Sequence, residues 1–204
     1  DGIRDIHCSL VGSEMCIRDR GDGIEIKEGS YGNIVRDNVI HDTNYPGILL
    51  YGTAGNGARN IVERNVVWAS GDNTVQVAAD TIIRNNIILG NVSFQSHQSS
   101  SPSNLDFVHN TVIYSGTAVE VRNVAGPVLI ANNAVYSQSR AIALISGDSS
   151  QVEVVGNVGA GGVSGASSGY AEGNGISADM IGADYSGSPP IDVFPAAGGA
   201  LIGS

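Results

Sequence analysis

The sequence predicts an all-β solenoid of stacked coils, and three features of its 204 residues indicate this fold. An asparagine with apolar residues on both sides recurs six times at nearly constant spacing. A second apolar segment, which alternates with a period of two, follows most of these asparagines by about ten residues. Turn-forming residues fill the stretches between, and 28 residues are glycine. Segments that recur in this way cannot each bury an apolar face alone, so we expect them to stack.

Each of the six repeats has an apolar residue three positions before its asparagine. The intervals between successive asparagines are 27, 21, 24, 23 and 24 residues. In stacked coils with parallel strands, equivalent residues lie about 4.8 Å apart. Each asparagine amide can then donate a hydrogen bond to its neighbour, which predicts a buried ladder. The predicted ladder consists of Asn38, Asn65, Asn86, Asn110, Asn133 and Asn157.

The apolar residues around these asparagines predict two internal stacks. The first consists of Val35, Val62, Ile83, Phe107, Ile130 and Val154, and the second of Ile40, Val67, Ile88, Val112 and Val135. The alternating segments predict further strands at residues 24–26, 48–50, 75–77, 119–121 and 142–144. A β-sandwich or propeller requires antiparallel strands joined by short hairpins. Here like segments recur only at the full period, which favours parallel pairing.

This repeat resembles that of right-handed parallel β-helix proteins in the pectate-lyase-like superfamily, over residues 21–160. The resemblance implies a single-stranded right-handed parallel β-helix with about six coils of about 24 residues. Residues 161–204 lose the register and are rich in glycine, so we expect an irregular C-terminal cap of the same domain. Their end resembles that of many secreted β-helix proteins, with Pro190 and Leu201 as departures.

The first twenty residues differ in character from the rest. Residues 9–20 resemble a translated sequencing-adapter artefact, so we predict that residues 1–20 are a non-native leader. They do not have the charge order of a signal peptide. The leader holds both cysteines, Cys8 and Cys16, which allow at most one disulfide and fit no metal motif. We therefore expect the chain to be a fragment that lacks coils on its N-terminal side.

The composition excludes several functional classes. The net charge is −10, from 10 basic and 20 acidic residues, which argues against a nucleic-acid partner. No apolar run approaches the roughly 18 residues of a membrane-spanning helix. The acidity leaves calcium binding open, but there is no Asp-x-Asp-x-Asp spacing, and no other cofactor is indicated.

The residues three positions after the ladder asparagines predict an external stripe on the solenoid. They are His41, Trp68, Leu89, Ile113 and Tyr136. Such a stripe can stack on sugar rings, which makes His41, Trp68 and Tyr136 candidate polysaccharide-binding residues. The alternative is that loops or another domain cover it.

Charged residues before the ladder asparagines alternate in sign along neighbouring coils. Arg36, Glu63 and Arg84 lie two positions before, and Asp37 and Arg64 lie one position before. These residues predict a solvated ladder of ion pairs. The alternative is a cleft in which the arginines bind the carboxylates of an anionic sugar.

A polysaccharide lyase needs a base and a cation beside the carboxylate of a uronate. Lys27 and Arg122 are outward cations, but they are expected about four coils, or roughly 19 Å, apart. A glycoside hydrolase needs two carboxylates about 5–9.5 Å apart, and the sequence alone identifies no such pair. The polar segment 93–104, which contains His97, is predicted to be either a flexible spacer or a functional loop.

The resemblance to β-helix proteins of the pectate-lyase-like superfamily implies an extracellular or cell-surface protein of carbohydrate-active type, related to polysaccharide lyases or glycoside hydrolases. Its expected partner is a polysaccharide, with an anionic one among the possibilities. The alternative is a non-catalytic binding or surface-structural module, of the adhesin or tailspike kind. The catalytic residues and the oligomeric state stay open. An ice-binding solenoid is disfavoured because no flat Thr-x-Thr array is present.

Overall fold

The computed structural model of the chain describes residues 9–11, 14–16, 21–147, 149–189 and 193–202. Short strands follow one another in a fixed order throughout. The strands of the first half are β1 (Ser9–Val11), β2 (Glu14–Cys16), β3 (Ile24–Ile26), β4 (Ile34–Arg36), β5 (Val39–His41), β6 (Ile48–Leu50), β7 (Asn60–Glu63), β8 (Val66–Trp68), β9 (Val75–Val77), β10 (Ala79–Arg84) and β11 (Ile87–Leu89).

The second half continues the series and then becomes irregular. Its strands are β12 (Val92–Phe94), β13 (Ser103–Val108), β14 (Thr111–Tyr114), β15 (Val119–Val124), β16 (Val128–Ala131), β17 (Ala134–Ser137), β18 (Ile142–Gly147), β19 (Val152–Val155), β20 (Asn157–Ala160), β21 (Val163–Ser164) and β22 (Tyr170–Glu172). One turn of 3-10 helix spans Ser149–Gln151, and the helix α1 spans Ile176–Asp179.

The strands form three parallel sheets, so the chain is a parallel β-helix. Sheet A contains β1, β4, β7, β10, β13, β16 and β19; sheet B contains β2, β5, β8, β11, β14, β17, β20 and β22; sheet C contains β3, β6, β9, β12, β15, β18 and β21. From β4 to β21 the order A, B, C repeats six times. The predicted fold class, with about six coils of about 24 residues, is confirmed.

The predicted asparagine ladder lies at the turn from sheet A to sheet B and is confirmed. In each of the first five members the side-chain amide donates to the side-chain oxygen of the next, over 2.8 to 3.1 Å. Their backbone N–H groups donate to that same oxygen. All six asparagines are buried. The ladder therefore satisfies polar groups that the turn would otherwise leave unpaired inside the protein.

The residue before each ladder asparagine has a left-handed backbone conformation, with φ between 54° and 64°. These residues are Asp37, Arg64, Asn85, His109, Asn132 and Gly156. Of these six residues, only Asp37 and Arg64 were identified from the sequence, and only as charged members of the ion-pair ladder. Their shared conformation makes the corner between the two sheets, and glycine, aspartate and asparagine adopt it at low cost.

The two predicted internal stacks lie in one continuous core. Inner side chains of all three sheets meet there, and Phe94 packs edge-on against Phe107 with ring centroids 5.5 Å apart. Phe94 belongs to β12, a strand of sheet C that the sequence analysis placed inside a polar loop. The alternation of Val92, Ser93 and Phe94 was the missed signal, so the insertion is limited to residues 95–102.

The C-terminal segment does more than close the last coil. Tyr170, in β22, packs against the end of the core. Residues 176–189 and 193–201, called the strap below, then lie along the outer face of sheet B, where Met180 and Ala183 are buried. The expected cap is thus a strap along one side of the solenoid.

Residues 9–11 and 14–16 pair in parallel with β4 and β5. The non-native origin of residues 1–20 stays a prediction, and most of that segment, with Cys8, lies outside the described residues. Cys16 is described only as part of a strand.

Candidate functional site

The outer face of sheet C carries a row of residues in register from five successive coils. Strand alternation points these side chains away from the core. The row consists of Glu25, Leu49, Gln76, Ser93 and Glu120. Four of the five are polar, so this face of the sheet can form more hydrogen bonds than an apolar face.

The insertion at residues 95–102 folds back across this face. His97 and Ser100 exchange two backbone hydrogen bonds of 3.0 Å. The Ser100 hydroxyl accepts a 2.8 Å hydrogen bond from the N–H of Gly52, two coils away. The ring of His97 lies 4.6 Å from that of Tyr51, centroid to centroid. The insertion is therefore held over sheet C by hydrogen bonds and a ring contact.

Below this loop lies a group of ionisable side chains. The Tyr51 hydroxyl donates to Glu25 over 3.0 Å, and Lys27 donates to the other oxygen of Glu25 over 3.1 Å. Burial raises the pKa of Tyr51, and the hydrogen bond to Glu25 raises it further. Burial also raises the pKa of the Asp22 carboxyl, and the negative charge of Glu25 adds to this effect. The charges of Asp22 and Glu25 thus interact, although the two carboxyl groups lie in different environments.

Gln76 and Ser93 complete the floor of this surface. Gln76 is only 3% exposed, and its amide nitrogen lies 3.1 Å from Nδ1 of His97. The Ser93 hydroxyl is fully buried and has no hydrogen-bond partner among the described residues. Asp22, Glu25, Tyr51, Gln76 and His97 are called the sheet C cluster below. Of these five residues, only His97 was identified from the sequence, because the coil to which the loop at residues 95–102 returns has no local sequence signal.

The predicted external stripe lies on the outer face of sheet B, and the strap divides it. Leu89, Ile113 and Tyr136 are buried beneath the strap. His41 and Trp68 stay partly exposed, with their rings stacked 4.3 Å apart and 10° from parallel. A sugar-binding function of Tyr136 would require the strap to leave, so only His41 and Trp68 enter the proposals below.

A buried carboxylate fixes the strap to sheet B. Both oxygens of Asp179 accept hydrogen bonds, from the Tyr136 hydroxyl over 2.9 Å, from the Ala200 N–H over 2.7 Å, and from the backbone and side chain of Asn174. Burial alone would raise the pKa of Asp179, but these donors lower it below its usual range. The carboxylate is therefore a structural anchor.

The predicted ion-pair ladder beside sheet A is confirmed for Asp37, Glu63, Arg64 and Arg84, whereas Arg36 forms no ion pair among the described residues. Arg64 donates to Asp37 through two nitrogens, at 2.7 and 2.8 Å, and Arg84 lies 2.7 Å from Glu63. On sheet C, Lys27 pairs with Glu25, as Arg122 does with Glu120. Arg64 and Arg84 already have carboxylate partners, which disfavours these two arginines as ligands of an anionic sugar in the alternative cleft.

Another groove lies elsewhere, on the outer face of sheet A. Its volume is about 620 Å³ and its walls include Asp106, Leu129 and Glu153. Asp106 is bound by Arg59 over 2.8 Å, and Leu129 separates the two acids in the register of the sheet. The groove is large enough for a ligand, but its two acids are separated by Leu129, and Asp106 is already paired with Arg59.

Neither a metal-binding group nor a membrane-spanning helix is found among the described residues. Among the described residues, no group of three or more His, Cys, Asp or Glu side chains is arranged to hold a metal ion, so calcium has no evident ligand set there. None of the helices in that part of the chain is long and apolar enough to cross a membrane.

Comparison with known families agrees with this architecture. A family model described as "Right handed beta helix region" matches residues 17–159, which is more than half of the chain. The chain belongs to the right-handed β-helix family. A search of curated proteins and a search of solved structures each found no match. Family membership gives the handedness of the coil, while the chemistry of this β-helix protein has to be argued from its own residues.

Proposed function

We propose that this right-handed β-helix protein acts on polysaccharide outside the cell or at the cell surface, with the sheet C cluster as its site. The observation that carries the proposal is the loop at residues 95–102. It places the imidazole of His97 beside the phenol of Tyr51 and the amide of Gln76, and Tyr51 in turn donates to the carboxylate of Glu25. Sugars, which present many hydroxyl groups, are bound by dense sets of donors and acceptors of this kind.

Within that class, the arrangement favours hydrolysis of a glycosidic bond. Glycoside hydrolases divide acid and base functions between two carboxyl groups in different environments. Asp22, with its raised pKa, fits the acid that protonates the leaving oxygen. Glu25, which accepts hydrogen bonds from Tyr51 and Lys27, fits the carboxylate that assists water or attacks the sugar.

Hydrolysis of a neutral glycan is favoured over lysis of a uronate polymer for electrostatic reasons. The cluster contains two acids, and the neighbouring Lys27 is already paired with one of them. Arg122 belongs to β15, four strands away from β3 in sheet C. A uronate carboxylate would therefore meet negative charge without a free cation to offset it.

The test is a hydrolysis assay on neutral polysaccharides, with alginate and pectate in parallel. We expect release of reducing ends from at least one neutral glycan and no unsaturated ends from the uronates. Glu25→Gln and Asp22→Asn should each lower kcat/KM by about 10²–10⁴-fold. Glu120→Gln is the matched control, because Glu120 lies in the same outward row and is also paired with a cation. Equal activity of all three variants, or no activity on any glycan, would overturn the proposal.

A second candidate function is non-catalytic glycan binding by the His41–Trp68 pair. Its supporting observation is the stacked, partly exposed pair of rings on sheet B. Trp68 is the single tryptophan of the chain, so its fluorescence reports on this surface alone. We expect oligosaccharides to change that fluorescence and to bind Trp68→Ala at least about tenfold more weakly. Tyr45→Ala, which removes an exposed aromatic residue from a nearby turn, is the control. Unchanged fluorescence and affinity would remove this candidate.

A further inference from the structure

A chain of side-chain amides ends at His97. The Asn91 amide donates to the side-chain oxygen of Asn73, the Asn73 amide donates to Oε1 of Gln76 over 2.8 Å, and Nε2 of Gln76 lies 3.1 Å from Nδ1 of His97. This amide chain starts at the Thr74 N–H. That group donates both to the backbone carbonyl of Asn91, over 3.0 Å, and to the side-chain oxygen of Asn91, over 3.3 Å.

The direction of this chain follows from elementary hydrogen bonding. A backbone N–H can only donate, so the oxygen of the Asn91 side chain faces it and the NH₂ group faces onward. The same logic orients Asn73 and then Gln76. A second donor, the amide of Gln95, reaches Oε1 of Gln76 over 3.1 Å and fixes that side chain in the same orientation. The NH₂ group of Gln76 therefore faces the ring of His97.

Nδ1 of His97 must then accept a hydrogen bond, which leaves the proton of the neutral ring on Nε2. The ring is partly exposed, and no described residue forms a hydrogen bond with Nε2. We propose that the amide chain fixes His97 as an Nε2–H donor directed at the ligand of the sheet C cluster. Asn73 and Gln76 are then positioning residues, and the ligand contributes an acceptor oxygen, as a sugar hydroxyl or glycosidic oxygen does.

The tautomer can be measured without any ligand. Two-bond ¹H–¹⁵N correlation spectra of the histidine side chains at pH 8 distinguish Nε2–H from Nδ1–H. We expect Nε2–H for His97 and, as an internal contrast, Nδ1–H for His41, whose Nδ1 lies 2.7 Å from the carboxylate of Asp42. In Gln76→Glu the new carboxylate can only accept, so the proton of His97 should move to Nδ1.

Two further variants make the test specific. Asn73→Asp removes the donor to Oε1 of Gln76 and should partly shift His97 toward Nδ1–H. Gln98→Glu places the same new charge on the same loop, where Gln98 contacts Tyr51 and has no place in the amide chain. It should leave the tautomer of His97 unchanged. A wild-type Nδ1–H tautomer, an unchanged tautomer in Gln76→Glu, or a switch in Gln98→Glu would overturn the inference.

The donor function of His97 rests on the proposed function, but the two can fail separately. If Gln76→Glu moves the proton and no glycan is cleaved, the amide chain is established and the proposed hydrolysis is wrong. If a glycan is cleaved, Gln76→Glu should lower kcat/KM by about 10²-fold, as the loss of one oriented donor does. Cleavage at the wild-type rate in that variant would overturn the donor function of His97.

Discussion

Adjacent asparagines have different structural functions in this β-helix protein, as Asn85 and Asn86 show. Asn86 is buried, donates to Asn110 and to two backbone carbonyls, and accepts from both nitrogens of Asn65. Asn85 is exposed and has a φ of 56°. The side chain is what matters at Asn86, and the backbone conformation is what matters at Asn85.

This difference predicts opposite sensitivities at the two positions. Asn86→Ala leaves several buried polar groups unpaired and should lower the free energy of unfolding by at least about 3 kcal/mol. Asn85→Gly should change it by less than about 0.5 kcal/mol, whereas Asn85→Val should cost about 1–2 kcal/mol because a β-branched residue resists positive φ. Urea denaturation measures all three. If Asn86→Ala left the free energy of unfolding unchanged, water would have to replace the hydrogen bonds of the ladder at that coil.

The ladder itself could be predicted because a buried side-chain stack imposes one residue type at one spacing. The left-handed residue beside it could not be predicted as cleanly, since Asp37 and Asn85 favour that conformation but Arg64 does not. In that coil the neighbouring strands and the ladder impose the corner on an unfavourable residue.

At the scale of elements, the attachment of the strap to sheet B depends on the charge state of Asp179. The hydrogen bonds that lower the pKa of Asp179 favour its charged form in the folded protein. Their stabilising effect is therefore fully present above the usual carboxyl pKa of 3.8 and is lost as the pH falls through the lower folded value. The strap should thus detach under acid before the coils unfold.

The acid prediction can be tested with two variants. Tyr136→Phe removes one hydrogen bond to a charged group and should lower the free energy of unfolding at pH 6 by about 1.5–3 kcal/mol. Asp179→Asn should also destabilise at pH 6, but its deficit relative to wild type should shrink toward pH 2. The amide resonances of Asn174 and Ala200, which donate to Asp179, report its titration directly. A deficit that is independent of pH would exclude Asp179 as the titrating anchor.

Another element-scale prediction concerns the aromatic pair between sheets A and C. Phe94 and Phe107 are fully buried, with rings at 68° to each other. Each substitution to alanine should cost about 3–5 kcal/mol. The double variant should cost less than the sum by about 0.5–1.5 kcal/mol, because one contact is then removed only once. Strict additivity in denaturation experiments would show that the ring contact contributes nothing beyond burial.

The strands could be predicted from the sequence, but only part of the candidate site could, for a physical reason. Strands, stacks and the ladder depend on side chains at a fixed period, which the chain displays directly. The sheet C cluster depends on which coil the loop at residues 95–102 returns to, and the burial of Tyr136 depends on where the strap lies. Both are contacts over long sequence distances without any repeating pattern.

For the whole molecule, the same stacking that creates the fold limits how far a perturbation can spread. Each coil contacts mainly the coils before and after it, since every strand of sheet A pairs only with its two neighbours. The stability of such a molecule is approximately a sum of coil and interface contributions. Opening should therefore be local, in contrast to a domain with one mixed core.

Val62 and Val128 provide a matched test of this behaviour. Both are inward residues of sheet A with about 1% exposure, in β7 and β16. Each Val→Ala substitution should cost about 2 kcal/mol. Hydrogen exchange followed by mass spectrometry should show faster exchange in β4, β7 and β10 for Val62→Ala, and in β13, β16 and β19 for Val128→Ala. Equal acceleration in all six strands for either variant would mean that the solenoid opens as one cooperative unit, and the nearest-neighbour description would then be wrong.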